Sequence, residues 1–286
     1  MFINVNGVRL FFDVLNPKLA LEGDGLREKP TLVCLHGMPG GDHQSLRPTF
    51  DQFSDVAQVV YLDQRGGGRS EHGDPVNWNL NQWGDDVAVF CNAVGIAKPI
   101  IIGVSGGSIV AQAYLSRHPQ HAGAVVLVNP CSRMTQEGLV AAYAAVGGPQ
   151  AAAAAQAMYG QPGPDDYAAF FKHCLPLYSH RRDLSSLAAT RNRATSNPQA
   201  SQRFFAPGGE AFSYDHRGVL GSGDCPVLLL VGAHDPVTPP QWGREVADAL
   251  PPGRAELHLF EGSSHLIWAD EPDRFYATIR RFIAAR

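Results

Sequence analysis

The chain has 286 residues, 44% of them hydrophobic and 17% charged, with a net charge of −4. That balance excludes a disordered chain, and no Lys/Arg block is long enough to track nucleic acid or an anionic membrane. No apolar run approaches the length of a membrane-spanning helix, and the five cysteines are widely spaced with no C-x-x-C pair, which argues against a disulfide framework or a zinc site. The first residues, Met-Phe-Ile-Asn-Val-Asn-Gly, lack a basic leader followed by an apolar run, so a cytoplasmic protein with reduced thiols is expected.

Residues 2–15 alternate around Asn6-Gly7 and predict a hairpin, whereas residues 16–30, rich in Pro, Gly and charge, read as a loop. Short apolar runs follow at Thr31–Leu35, Val56–Leu62, Pro99–Val104, Gly123–Val128, Pro226–Val231 and Ala255–Phe260. Helical patterns lie at Leu80–Val94, Gly107–Arg117, Pro240–Leu250 and Glu271–Ala284. Continuous apolar strands alternating with helices mark a mostly parallel sheet covered on both faces, whose ligand site lies at the carboxyl ends of the strands. The pattern breaks between Cys131 and Gly223. There an alanine-rich stretch, with breaks at Gly147-Gly148-Pro149 and Gln161–Pro164, reads as a helical insertion. The expected organisation is a discontinuous core, residues 1–130 and 224–286, under a helical cap, 131–223.

Chemistry-bearing residues cluster at the strand ends. Gly103-Val104-Ser105-Gly106-Gly107 is a G-x-S-x-G pattern directly between a strand and a helix, the setting in which a serine is held exposed on a strained turn as a nucleophile. A nucleotide loop is disfavoured, because neither Gly-Lys-Ser/Thr nor G-x-G-x-x-G is present. Acyl chemistry at Ser105 needs two N–H donors for the developing oxyanion. Gly106 is one candidate. Met38, in the loop His36-Gly37-Met38-Pro39-Gly40-Gly41, is the other, by its matching position in H-G-x-P loops. His36 itself is read as structural.

Eleven histidines leave the general base to be chosen by position. His265, in a small-residue loop after the last strand, is favoured over His258, inside that strand, and over His234. Asp235 follows the preceding strand and is expected to orient the imidazole, giving the chain order Ser105, Asp235, His265. Asp63 and Arg65 are expected to pair and brace the oxyanion loop. Trp268 is expected to wall the pocket or anchor the last helix.

Taken together, HGMPGG (36–41), DQRGGGRS (63–70), GVSGGS (103–108), GAHDPVTP (232–239) and GSSH (262–265) resemble the α/β-hydrolase superfamily, and within it the proline iminopeptidase-like branch. The resemblance implies an α/β-hydrolase fold, a serine hydrolase acting on a small-molecule ester or lactone, and no metal or organic cofactor. Two departures weaken the peptidase reading. HGMPG stands in place of HGGPG, and Gly106 stands where tryptophan follows the nucleophile. The cap carries only Glu137 and Glu210 to hold a substrate's amino group, with Asp165, Asp166, Asp183 and Asp215 as possible substitutes. A narrower similarity, to serine-dependent macrolide esterases, implies a wide apolar pocket between cap and core, with Phe170 and Tyr167 among the candidate linings. The rivals are a proline iminopeptidase-type aminopeptidase and a non-catalytic ligand-binding protein on the same fold.

Overall fold

The structure, a computed structural model, describes every residue except Met38, Gln161, Arg182 and Asp183 and the side chains of Pro164, Ser186 and Arg191. Asn6 and Gly7 both take positive φ, 45° and 79°, and so form the tight primed turn that joins β1 (Phe2–Val5) to β2 (Val8–Leu15). The expected loop at 16–30 contains a small hairpin instead, β3 (Leu19–Glu22) and β4 (Gly25–Glu28). It buries no apolar face: Leu19, Leu21 and Leu26 are exposed, so burial left no alternating signature to read.

The chain continues through β5 (Thr31–Leu35), β6 (Gln58–Leu62), α1 (Leu80–Ala93), β7 (Ile100–Val104), α2 (Gly106–Arg117) and β8 (Ala124–Val128). Helices α3 (Gln136–Met158), α4 (Pro164–His173), α5 (Ser185–Arg191) and α6 (Pro198–Phe205) follow, and no strand lies among the described residues between β8 and β9 (Val227–Gly232). The chain closes with α7 (Pro240–Ala249), β10 (Ala255–Phe260), α8 (Ile267–Asp270) and α9 (Pro272–Ala284). Helix α3 is broken at Gly148, whose φ of 75° precedes Pro149, at the predicted Gly-Gly-Pro punctuation.

Eight strands form one sheet in the order β1-β2-β6-β5-β7-β8-β9-β10. The β1–β2 and β2–β6 pairings are antiparallel and the others parallel, so β2 alone runs against the rest of the sheet. The fold is thus the α/β-hydrolase arrangement that the sequence implied. Strands β5, β7, β8 and β9 are buried at every residue, which explains their uninterrupted apolar sequences. Alternate residues serve opposite faces: Val33 and Leu35 join α1 and α2 in one core, while Leu32 and Cys34 join α9 in the other. Helix α9 supplies Phe275, Ile279, Phe282 and Ile283, one apolar stripe at helical spacing.

All five cysteines are unpaired and buried, and burial pushes the Cys91, Cys131 and Cys174 thiols up to about 12. No described helix is long and apolar enough to cross a membrane.

Candidate active site

In the sheet order the chain reverses direction between β5 and β7, and the crevice at such a switch point is where a doubly wound sheet binds its ligand. The oxyanion-loop candidate leaves β5 there, and Ser105 leaves β7 beside it. Ser105 is held at φ 53°, ψ −119°, a conformation that costs a non-glycine residue energy and must be enforced by its surroundings. Its N–H donates to Val128 O (2.9 Å), and its carbonyl accepts from Ser108 N (2.8 Å) and Ser108 Oγ (2.6 Å). The turn is possible because the elbow lacks side chains. A Cβ on Gly107 would stand 2.2 Å from Leu35 O and 2.5 Å from His36 O. Helix α2 therefore packs directly on the end of β5, with Gly106 at its amino terminus, where helical N–H groups have no intrahelical partner.

Asp235 and His265 reach the same crevice from the ends of β9 and β10. His265 Nδ1 lies 2.7 Å from Asp235 Oδ2, and both side chains are buried. A carboxylate only accepts, so the imidazole donates from Nδ1 and carries its lone pair on Nε2. Asp235 is itself fixed: Oδ1 accepts from Val237 N (2.7 Å) and Thr238 N (3.1 Å), and Oδ2 from Thr238 Oγ1 (2.8 Å). Ser105, Gly106 and His265 line one cavity of about 260 Å³ with His36, Gly37 and Trp268. Met38, the second oxyanion candidate, lies outside the described residues.

The loop around Met38 is braced differently from the sequence expectation. Arg65 does not pair with Asp63. Its guanidinium binds Asp86 of α1 (2.7 and 2.9 Å), a buried pair that also takes Asn6 Nδ2 and Gln82 Nε2. Asp63 turns to His43 Nδ1 (2.7 Å) and to the N–H groups of His43 and Arg69. Burial raises the Asp63 carboxyl, but the His43 hydrogen bond and the nearby His36 outweigh it and hold the group below the usual range. The reason is geometric: Asp63 is the carboxylate nearest in sequence to Arg65, whereas Asp86 is brought over it by helix α1. His36 is tied to Gln64, whose N–H reaches His36 Nε2 at 3.2 Å.

The helices between β8 and β9 close over this crevice. Asn197 donates from its backbone to Gly40 O (2.8 Å) and from its side chain to Gly66 O (2.9 Å), and Thr195 N donates to Asp42 Oδ2 (2.7 Å). A second cavity of about 450 Å³ lies among α3, α4 and α6, lined by Tyr167 and Phe170. Tyr159, Tyr178 and Phe205 line both cavities and form their common wall. Trp268 lines the Ser105 cavity, and its ring packs against Phe275 of α9.

No carboxylate is among the described residues lining the outer cavity, and Asp42 alone reaches the inner one, spent on the N–H groups of Gln44 and Thr195. Glu210 instead accepts from Leu80 N at the start of α1 (2.7 Å), Asp166 accepts from Gly163 N, Asp215 pairs with Arg217, and Glu137 and Asp165 face solvent. Asp183 lies outside the described residues.

Three neighbours of His265 carried no sequence signal. Tyr178 stands edge-on to the imidazole, ring centroids 5.2 Å apart, Asn129 Nδ2 donates to His265 O (2.5 Å), and Asp270 accepts from Ser264 N (2.9 Å). Each lies in a segment without a recognisable motif; tertiary folding brings Tyr178 and Asn129 to the histidine, and Asp270, five residues further on, shows its role only through its contacts with residues 179–181.

Among known proteins, a proline iminopeptidase of Heyndrickxia coagulans is 26% identical over 295 residues, covering 99% of this chain and 97% of the relative. A putative carbamate hydrolase of Agrobacterium fabrum is 25% identical over 261 residues, covering 90% and 94%. The crystal structure of an enol-lactonase from Burkholderia xenovorans superimposes with a TM-score of 0.75 at 22% identity, over 99% of this chain and 100% of the other. The family model for the alpha/beta hydrolase fold matches residues 30–272, and this chain belongs to that family.

Proposed function

We infer that the protein hydrolyses uncharged carboxylic esters or lactones through an acyl-enzyme on Ser105. Ser105 Oγ attacks the carbonyl carbon as its proton passes to His265 Nε2, and the carbonyl electron pair moves onto oxygen, for which the N–H of Gly106 and the N–H that the H-G-x-P pattern assigns to Met38 are the proposed donors. Collapse expels the alkoxide, which takes the proton from His265. Water then repeats the attack through the same imidazole, and the acid leaves with Ser105 restored. Asp235 holds the imidazole tautomer and offsets its positive charge without accepting the proton.

The observation that carries the ester reading is the lining of the two chambers. Their walls are mainly apolar and aromatic, and no uncommitted carboxylate is among the described residues there to hold a free amine. A prolyl substrate would bring a charged amino group into that surface at a desolvation cost with nothing to offset it. Two contiguous apolar chambers offer more room than a short acyl chain needs, so the preferred substrate carries a bulky apolar portion beyond Tyr159, Tyr178 and Phe205. A macrolide lactone is the most specific form of this reading. The iminopeptidase relatives favour the second reading, cleavage of an amino-terminal proline.

The test is a hydrolysis panel read by mass spectrometry, with wild type and Ser105→Ala side by side. It holds p-nitrophenyl esters, an acyl-homoserine lactone, a large-ring macrolide and proline p-nitroanilide. Serine-dependent gain of one water by an ester or lactone is expected. Turnover of the proline anilide alone would hand the protein to the peptidases, and no turnover of any substrate would favour a ligand-binding protein.

A further inference from the structure

Asp270 ends the short helix α8, five residues after His265, and its carboxylate is fully buried. Among the described residues, four donors reach its two oxygens. Oδ1 accepts from Ser179 Oγ (2.7 Å) and Arg181 N (3.2 Å), and Oδ2 accepts from His180 N (2.9 Å) and Ser264 N (2.9 Å). Three of these donors belong to the segment 179–181, between α4 and α5. The fourth is the N–H of Ser264, the residue immediately before His265. The two segments are joined again on either side of the histidine: Ser264 Oγ reaches Leu177 O (2.6 Å), and Leu266 N donates to Tyr178 O (2.8 Å). Between these bonds the Tyr178 ring meets the imidazole edge-on.

A buried carboxylate needs donors to compensate its lost hydration, and removing it strands every one of them. Here the stranded groups would be the N–H before His265 and the backbone that presents Tyr178. The partners of the imidazole ring, Asp235 after β9 and Tyr178 between α4 and α5, thus come from separate segments, and one carboxylate ties the histidine loop to the second of them.

The geometry points to Asp270 as a positioning residue for His265, which locks the histidine loop to the 177–181 segment so that the imidazole is correctly placed only while that segment is seated. It acts through Ser264 and Tyr178 and touches no substrate. The proposal takes its catalytic meaning from the hydrolase reading above, but its geometric content can be tested without turnover.

Asp270→Asn and Ser179→Ala are compared with wild type, singly and together. Ser179→Ala removes one hydrogen bond and leaves the carboxylate in place, so it remains informative if Asp270→Asn folds poorly. The first readout is the low-field proton resonance of the His265 Nδ1–H, assigned by its absence in His265→Ala. It is expected to broaden in both variants as exchange with solvent rises. The second is turnover of p-nitrophenyl acetate. A loss in kcat of about 10- to 100-fold is expected for Asp270→Asn, and a smaller one for Ser179→Ala, with KM nearly unchanged, because the nucleophile and cavity stay intact while the base is displaced. The double variant should lose no more than Asp270→Asn alone, since Ser179 reaches His265 only through that carboxylate. An unchanged resonance, a parallel change in kcat and KM, or fully additive losses would each overturn the proposal. A wild type that turns over no ester yet shows the expected resonance changes would sink the ester reading and leave this one standing.

Discussion

His265 Nδ1 sits 2.7 Å from Asp235 Oδ2, and among the described residues every other hydrogen bond to that carboxylate comes from Val237 and Thr238. The aspartate is therefore aimed before any substrate arrives. Replacing it by asparagine keeps the shape but puts an amide NH2 where only acceptors fit, and favours the wrong imidazole tautomer. Asp235→Asn is expected to lower kcat by about four orders of magnitude with KM little changed and the circular dichroism spectrum preserved, in steady-state assays on a p-nitrophenyl ester.

The outer cavity can be closed without touching the reacting groups. Ser201 of α6 lines it and takes no part in the inner one. Ser201→Trp should raise KM for a bulky ester by about tenfold or more, equivalent to about 1.4 kcal/mol of lost binding, and leave p-nitrophenyl acetate kinetics unchanged. Equal effects on short and bulky esters would show that the outer chamber holds no part of the substrate.

The Arg65–Asp86 pair is buried on both sides, so its halves are unequal in consequence to the pair as a whole. Asp86→Ala leaves a guanidinium enclosed without its counter-charge and is expected to cost about 3–5 kcal/mol. Urea denaturation followed by tryptophan fluorescence would measure it.

Burial lowers His216 from its ordinary 6.5 to about 4. The unfolded chain thus binds a proton that the folded one resists. This part of the stability is present above pH 6.5 and is lost as pH falls from there through about 4, an effect of about 3 kcal/mol. His216→Phe keeps a ring against Tyr214 and cannot protonate. Its melting temperature should fall less than that of wild type between pH 7 and pH 4.5, and parallel losses would refute the assignment.

The sheet and the strained turn that carries Ser105 were legible because each obeys a local rule. Strands such as Ile100–Val104 are buried on both faces and so carry no polar alternation, and Ser105 needs glycines on both sides of a strained turn. The failures share a different cause. The hairpin of β3 and β4 packs against nothing that would force a pattern on its residues. Arg65 chose a partner 21 residues away over one two residues away, because α1 lays Asp86 across it. Tyr178 and Asp270 matter through a contact between segments about 90 residues apart, and neither lies in a motif that short-range reading can detect.

The burial of all five thiols, met above as a packing detail, has a practical side. A solvent-facing cysteine introduced into this protein would be its sole accessible thiol, so a fluorophore or spin label can be placed without first stripping the native sulfhydryls from the core. One label on the outer surface of α6 and another on α9 would then report directly whether the distance between those helices changes when a candidate substrate is added.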